Sequence, residues 1–273
     1  MCHTEGTAHL TIVDPYANKP SMTKSKIGKN LSSYDVETKV ESFHWWFVVR
    51  RKLLKSILSS IRVPTNSVIL DIGCGAGSNL KVLLSAHLNV IGLDRSIYVL
   101  SIVSRKMKVP LLNADLNNLP VKPNSIGLII AMDILEHLDD DTNGLTEFHR
   151  ALGKEGVLLL TVPAFEFLWG IQDEVTGHKR RYVKEEITKK LREAGFDIVN
   201  ASYFNFFLFF PILFGRRLIR ILGLRVESEN KINSQLMNFL LKMIFSLEPY
   251  ILKYFSFPFG VSILCIARKG KEA

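Results

Sequence analysis

The chain is predicted to fold as an α/β domain, a mostly parallel sheet with helices on both faces, with an apolar helical insertion placed before the last strand. Three observations predict it. Short, β-branched apolar runs alternate with helical segments of about ten residues. Those runs are continuously apolar, as strands buried on both faces must be. The first of them ends in a glycine-rich turn that opens a helix.

Residues 1–32 are polar, carry Pro15 and Pro20 and show no periodicity, so a loose tail is expected ahead of a core over 33–202. From Val40 the pattern turns helical. Phe43, Trp46, Phe47, Leu53, Leu54 and Ile57 recur at spacings near three and four, with Trp46 and Phe47 expected as core anchors. Pro64 and Asn66 end that segment. Strands are expected over Ser67–Ile72, Asn89–Leu93, Val109–Asn113, Ile126–Met132 and Gly156–Val162. Helices are expected over Ser78–Ala86, Ser96–Lys106 and Thr142–Leu152. Residues 164–182 hold aromatics, glycine and a basic cluster. A helix over Lys184–Ala194 stops at Gly195. Phe196–Ser202 and Phe259–Arg268 read as further strands, the latter within a final segment 257–273.

Between them, residues 203–256 form the apolar insertion. Its run YFNFFLFFPILF is shorter than the roughly 20 apolar residues a membrane span needs, and Asn205 and Pro211 break it. The apolar-plus-basic pattern leaves four uses open: helices on a membrane surface, a lid over a greasy acceptor, a dimer contact or a buried subdomain.

With 47% hydrophobic and 22% charged residues among 273, the chain is globular rather than disordered. The formal net charge of +9 permits nucleic acid, an anionic membrane or an acidic substrate without choosing among them. Cys2, Cys74 and Cys265 lie far apart, with no ligand spacing, so no disulfide framework, zinc site or other metal cluster is expected. A cytoplasmic compartment fits, with peripheral association on the inner membrane face. The first residues lack the basic start and apolar run of a secretory signal.

The turn reads Asp71-Ile-Gly73-Cys74-Gly75-Ala-Gly77, a GxGxG spacing rather than the GxGxxG of dinucleotide folds. Glycines there let backbone turn sharply and approach a ligand. A carboxylate at position 71 would repel a pyrophosphate and suits an ammonium group. Asp94 ends the second strand, where an acid accepts from ribose hydroxyls. Asp115 follows the third strand, within reach of an adenine amine.

At LDIGCGAG (70–77), GLD (92–94), NADLNNLP (113–120) and AMDILEHL (131–138) the sequence resembles the class I S-adenosylmethionine-dependent methyltransferases. The resemblance implies a Rossmann-like, seven-stranded sheet whose last strand runs antiparallel, and S-adenosyl-L-methionine as cofactor. It implies that Asp71, Gly73 and Gly75, with Cys74, shape the methionine side, that Asp94 with Arg95 holds the ribose, and that Asp115 and Leu116 flank the adenine. HWWF…RR (44–51) and GHKRRY (177–182) resemble a subgroup acting on small molecules, sugars or lipid-linked intermediates.

Methyl transfer needs an aligned nucleophile and, for a hydroxyl acceptor, a base. His178 is the first candidate base and His137 the second. Glu136 lies beside His137, and Asp133 is expected to contact cofactor or acceptor. Arg180, Arg181 and Tyr182, with Trp169, are candidates for binding a substrate phosphate or carboxylate. Trp45 and Arg50 are candidates for the methionine carboxylate. A covalent role for Cys74 is disfavoured for want of an activating base. The leading expectation is O-methylation of a small or lipid-linked acceptor. The alternatives are an RNA or other nucleic-acid methyltransferase, disfavoured because the basic residues are spread, and a non-catalytic membrane-surface protein that keeps the cofactor fold.

Overall fold

The computed structural model describes residues 39–86, 88–223 and 234–270. The expected tail over 1–32 and Cys2 lie outside the described residues. A seven-stranded sheet has the order β3-β2-β1-β4-β5-β7-β6. Its strands are β1 (Val68–Ile72), β2 (Val90–Asp94), β3 (Leu111–Asn113), β4 (Ile126–Met132), β5 (Leu152–Pro163), β6 (Phe196–Phe204) and β7 (Ser262–Lys269). The pairs from β3 through β5 are parallel, and β7 runs antiparallel to both β5 and β6. The continuous apolar runs explain the central position: every residue of β4 is buried.

Helices α1 (Trp45–Leu58), α2 (Ser78–Ser85), α3 (Ile97–Lys106), α4 (Asp141–Ala151), α5 (Ile171–Thr176) and α6 (Lys184–Glu193) supply the flanking layers. They divide the apolar interior into two large clusters, one containing Leu70, Ile129 and Phe148, the other Leu53, Leu80 and Leu128. Because β1 lies between β2 and β4, the chain builds outward to β3 and then returns to build β4 and β5 on the other side. Strand order therefore reverses between β1 and β4, which opens a crevice at their carboxyl ends.

Several boundaries move for identifiable reasons. Residues 39–40 are helical, but a turn over 41–43 separates them from α1, which begins at Trp45 because His44 caps it, its side chain accepting from Trp46 N. Within it Trp45 is the buried aromatic, while Trp46 and Phe47 are half-buried and Phe43 is exposed. The expected anchoring pair was thus one position out of register. β5 starts at Leu152 rather than Gly156, since its pairing with β4 shifts register after Ile126↔Leu152, with Glu155 at φ 64°. β7 starts at Ser262, because Gly260 presses on the Phe204 backbone, where an added Cβ would lie 2.3 Å from the carbonyl oxygen. Residues 164–182 contain a 3₁₀ turn (Glu166–Leu168) and α5, the latter too short for periodicity to reveal.

The insertion holds α7 (Phe209–Ile221), α8 (Gln235–Phe245) and α9 (Glu248–Ile251). It is laced to α1. The Trp45 amide donates to Asn238 Oδ1 at 2.7 Å, Asn238 Nδ2 to the Phe43 carbonyl at 3.0 Å, and Ser56 Oγ to the Pro249 carbonyl at 3.1 Å. Glu248 is buried and accepts from the amides of Asn205 (2.5 Å) and Phe207 (3.0 Å), while burial pushes its carboxyl up to about 7. Among the described residues no helix is long and apolar enough to cross a membrane.

Candidate functional site

A cavity of about 560 Å³ lies over the carboxyl ends of β1, β2 and β4. Its floor is the turn after β1. Gly73, Gly75 and Gly77 all have positive φ, 64°, 51° and 89°. A Cβ on Gly73 would strike Ile134 Cδ1 at 2.0 Å and one on Gly77 would strike Met107 Cε at 2.2 Å. At Gly75 the nearest atom would be 3.9 Å away, so the space above that residue is open to a ligand. Cys74 lines the cavity, and burial holds its thiol well above the usual range, which suits a small packed residue and not a nucleophile.

Asp94 faces the cavity from the tip of β2. Its Oδ2 accepts from the Gly75 amide at 3.1 Å and its Oδ1 from the Ser96 amide at 2.8 Å, so one acid fixes the loops after both β1 and β2. Arg95, Asp115 and Leu116 line the same wall, and Asp115 Oδ1 also accepts from the Asn117 amide at 2.8 Å. Asp71 lies beneath the turn, outside the cavity lining. It is fully buried and takes a 3.3 Å bond from Asn79 Nδ2 on its Oδ1, while its Oδ2 has no partner. Desolvation raises its carboxyl to about 7.

Across the cavity, Asp133 stands just past β4 at φ 57°. Arg50 Nη1 is 2.6 Å from Asp133 Oδ2, and Arg50 Nη2 donates to Thr161 Oγ1 at 3.2 Å. Thr161 in turn donates to Asp133 Oδ1 at 2.9 Å. The Arg50 guanidinium lies 5.3 Å from the centroid of the Trp46 ring, and its Nε is buried without a partner. Trp45, Trp46 and Phe47 line this side, so α1 presents its aromatics to the cavity as well as to the core.

The third wall comes from the segments after β4 and β5. His178 Nδ1 lies 2.7 Å from Asp173 Oδ1, and its Nε2 lies 3.7 Å from Glu136 Oε1. The His137 and His178 rings meet edge to face at 4.8 Å, and both line the cavity. Burial, with His178 adding to it, lowers the His137 imidazole to about 4, so it is neutral at neutral pH. Glu136 is fully buried with neither carboxylate oxygen bonded, and desolvation pushes it well above the usual carboxylate range. Glu136, His137 and His178 each offer a ligand atom within 4.8 Å of the others. The two halves of this group are far apart in sequence, so spacing could not reveal it.

Not every expected site residue reaches the cavity. The Tyr182 hydroxyl donates to Asp141 Oδ2 at 2.9 Å inside the core. Arg180 donates to the carbonyls of Leu138 (3.1 Å) and Asp139 (2.8 Å) and pairs with Asp141 at 3.2 Å. Both brace the loop after β4 and do not line the cavity. Trp169 borders a separate shallow depression with Arg216 and Arg220. Arg181 does line the cavity, yet its Nε and Nη2 are committed to Asp173 at 3.0 Å each and its Nη1 to the Ala164 carbonyl at 2.8 Å. Sequence reasoning missed Asp173, which ties together His178, Arg181 and the Gly170 amide, and whose carboxyl these partners hold well below the usual range against its burial. It also missed the insertion's share of the lining: Asn205, Ile212, Arg216 and Leu241. The only available signal was Asn205 interrupting an apolar run.

Residues 70–160 match the family described as methyltransferase domain. A probable S-adenosylmethionine-dependent methyltransferase of Mycolicibacterium smegmatis is 29% identical over 133 residues, 48% of this chain and 52% of that protein. A ubiquinone/menaquinone biosynthesis C-methyltransferase of Campylobacter jejuni is 25% identical over 209 residues, 64% of this chain and 88% of that protein. The chain spans about half the length of several of the curated relatives it matches. Among solved structures, a chain from the Haloferax volcanii complex of the Trm112 methyltransferase activator with a methyltransferase superposes with a TM-score of 0.60 at 16% identity. That match covers 91% of this chain and 99% of the other, and shows the fold.

Asp71 supplies a pH test. A folded-state value of about 7 against an ordinary 3.8 means that its contribution to stability is complete below 3.8 and is lost as pH rises through 7. Asp71→Asn, which never ionises, is expected to gain stability relative to the parent as pH is raised from below to above 7. Urea unfolding of the cofactor-free proteins at the two pH values checks it, and a constant difference would contradict it.

Proposed function

Residues 70–160 being a class I S-adenosylmethionine-dependent methyltransferase domain, we propose that this chain methylates a small-molecule, sugar or lipid-linked acceptor at oxygen. One observation carries the reading: a single cavity joins the open glycine turn and Asp94 on one side to His137 and His178 on the other. S-adenosylmethionine, when bound, supplies a methyl group already activated on a sulfonium. This chain's residues would hold and align it. Gly75 leaves room for the backbone to meet it, Asp94 accepts from its ribose, and Asp115 and Leu116 flank its adenine. Trp45 and Arg50 stand on the methionine side, where Arg50 Nε has hydrogen-bonding capacity to spare.

His178 is positioned to remove the acceptor's proton. The ionised Asp173 at 2.7 Å holds the proton on Nδ1 and leaves Nε2 as the acceptor. A base held this way favours a hydroxyl acceptor. Arg181 serves by holding Asp173 in place, not by binding substrate.

The insertion supports a greasy acceptor. Ile212, Ile219 and Leu241 give the cavity an apolar wall. On the outer side of α7, Phe210, Phe214, Leu218 and Ile221 form a stripe that is more than half exposed at each position, with Arg217 beside it. On α8, Leu236, Leu240 and Met243 repeat the pattern. Such stripes flanked by cations suit a membrane surface, where a lipid-linked acceptor resides.

Three outcomes are expected. Asp94→Ala weakens S-adenosylhomocysteine binding by about 1–3 kcal/mol in calorimetry, and unchanged affinity would remove the ribose assignment. His178→Ala slows turnover about 100-fold with cofactor affinity nearly intact, and full activity would reassign the base. Replacing Phe214 and Leu218 together by Glu abolishes co-sedimentation with anionic lipid vesicles, and undiminished binding would rule out the α7 stripe as the contact.

A further inference from the structure

We propose that Glu136, His137 and His178 form a site for a divalent transition-metal ion on the acceptor side of the cavity. Their ligand atoms already lie within 4.8 Å of one another. Glu136 provides the independent reason. It is 0% exposed, and neither carboxylate oxygen has a hydrogen-bond partner. A buried carboxylate in that condition is costly unless something positive reaches it. His178 Nε2 is 3.7 Å from Oε1, too far for a hydrogen bond.

The histidines are prepared to ligate. His178 Nδ1 is engaged by Asp173 at 2.7 Å, so its Nε2 lone pair turns toward Glu136. The His137 ring meets the His178 ring edge to face at 4.8 Å and lines the cavity beside it. An imidazole whose far nitrogen donates to a carboxylate or carbonyl is the usual support of a metal ligand, because it fixes tautomer and ring orientation. Local charge agrees. Asp133, Glu136 and Asp173 face three arginines, of which Arg50 pairs with Asp133 and Arg181 and Arg216 pair with Asp173, so none is a direct partner of Glu136.

Two imidazoles and one carboxylate suit ions from manganese to zinc better than magnesium or calcium. Three protein ligands leave coordination positions open, and both histidines face the cavity. An acceptor hydroxyl bound at such a position would lose its proton more readily. In the ion-loaded protein His178 would be a ligand and not the base, so the hydroxyl's proton would leave to solvent water through the open cavity, whereas in the ion-free protein His178 takes it. That role in turnover rests on the methyl transfer proposed above, whereas the site itself does not.

The test titrates Mn²⁺ into the full chain, followed by the loss of the free-ion electron paramagnetic resonance signal, with Zn²⁺ followed by calorimetry. One ion per chain is expected. Glu136→Gln and His178→Gln should each weaken Mn²⁺ binding by more than about 100-fold, and Asp173→Asn by about 10–100-fold through the supporting hydrogen bond. Circular dichroism and S-adenosylhomocysteine affinity confirm that each variant is folded, and His178→Gln carries the test should Glu136→Gln fail to fold. No saturable binding of either ion, or equal binding by parent and both ligand variants, would overturn the site. Ion binding without S-adenosylhomocysteine binding would uphold the site while removing the methyltransferase reading.

Discussion

Everything at the functional end of this molecule depends on the reversal of strand order between β1 and β4. Crossovers on one side of that line build β2 and β3, and crossovers on the other build β4 and β5. The loops at the carboxyl ends therefore part, and α1 and the insertion helices wall the opening they leave. Each strand that ends there delivers one polar group: the glycine turn after β1, Asp94 from β2, Asp115 after β3 and Asp133 after β4. The parallel sheet provides the constraint, since parallel neighbours all end at the same edge.

A buried carboxylate does a comparable job on the opposite wall. Asp173 takes the Gly170 amide at 2.7 Å, His178 and both arms of Arg181. One acid thus starts α5, orients an imidazole and pins the chain after β5. Charge-assisted bonds of this number outweigh the desolvation they cost, which is why Asp173 stays ionised while Asp71 and Glu136, with fewer partners, are driven toward neutrality. Burial is similar at the three acids, and their partners set the difference.

How much was legible in the sequence follows the range over which each feature is encoded. β4 was readable residue for residue because its continuous apolar run is a local property, and the glycine turn with Asp94 was readable because strand tips and turn chemistry are local too. β5's early start was hidden because a register shift depends on its partner strand. Trp45 was missed as the more deeply buried aromatic because two adjacent aromatics on a helix differ by about 100° in direction, and only the neighbouring elements decide which one is buried. Arg180 and Tyr182 looked like substrate ligands since a basic-aromatic cluster advertises charge, but Asp141, distant in sequence, claims both. The grouping of Glu136 with His178 joins two loops through space, so no spacing rule could announce it.

The seam between α1 and the insertion links residues 193 positions apart, as in the bond from Trp45 to Asn238 and that from Ser56 to Pro249. Contacts of such sequence separation form late, because the intervening chain must first be made and closed upon itself. On the ribosome the strands through β5 would already have emerged while α1 still lacked the neighbours it is laced to. The nascent polypeptide would then leave Trp45 and Trp46 without Phe245 and the rest of α8 to cover them until its final third was translated. That interval is when a chaperone, or a bilayer nearby, would find the molecule most receptive.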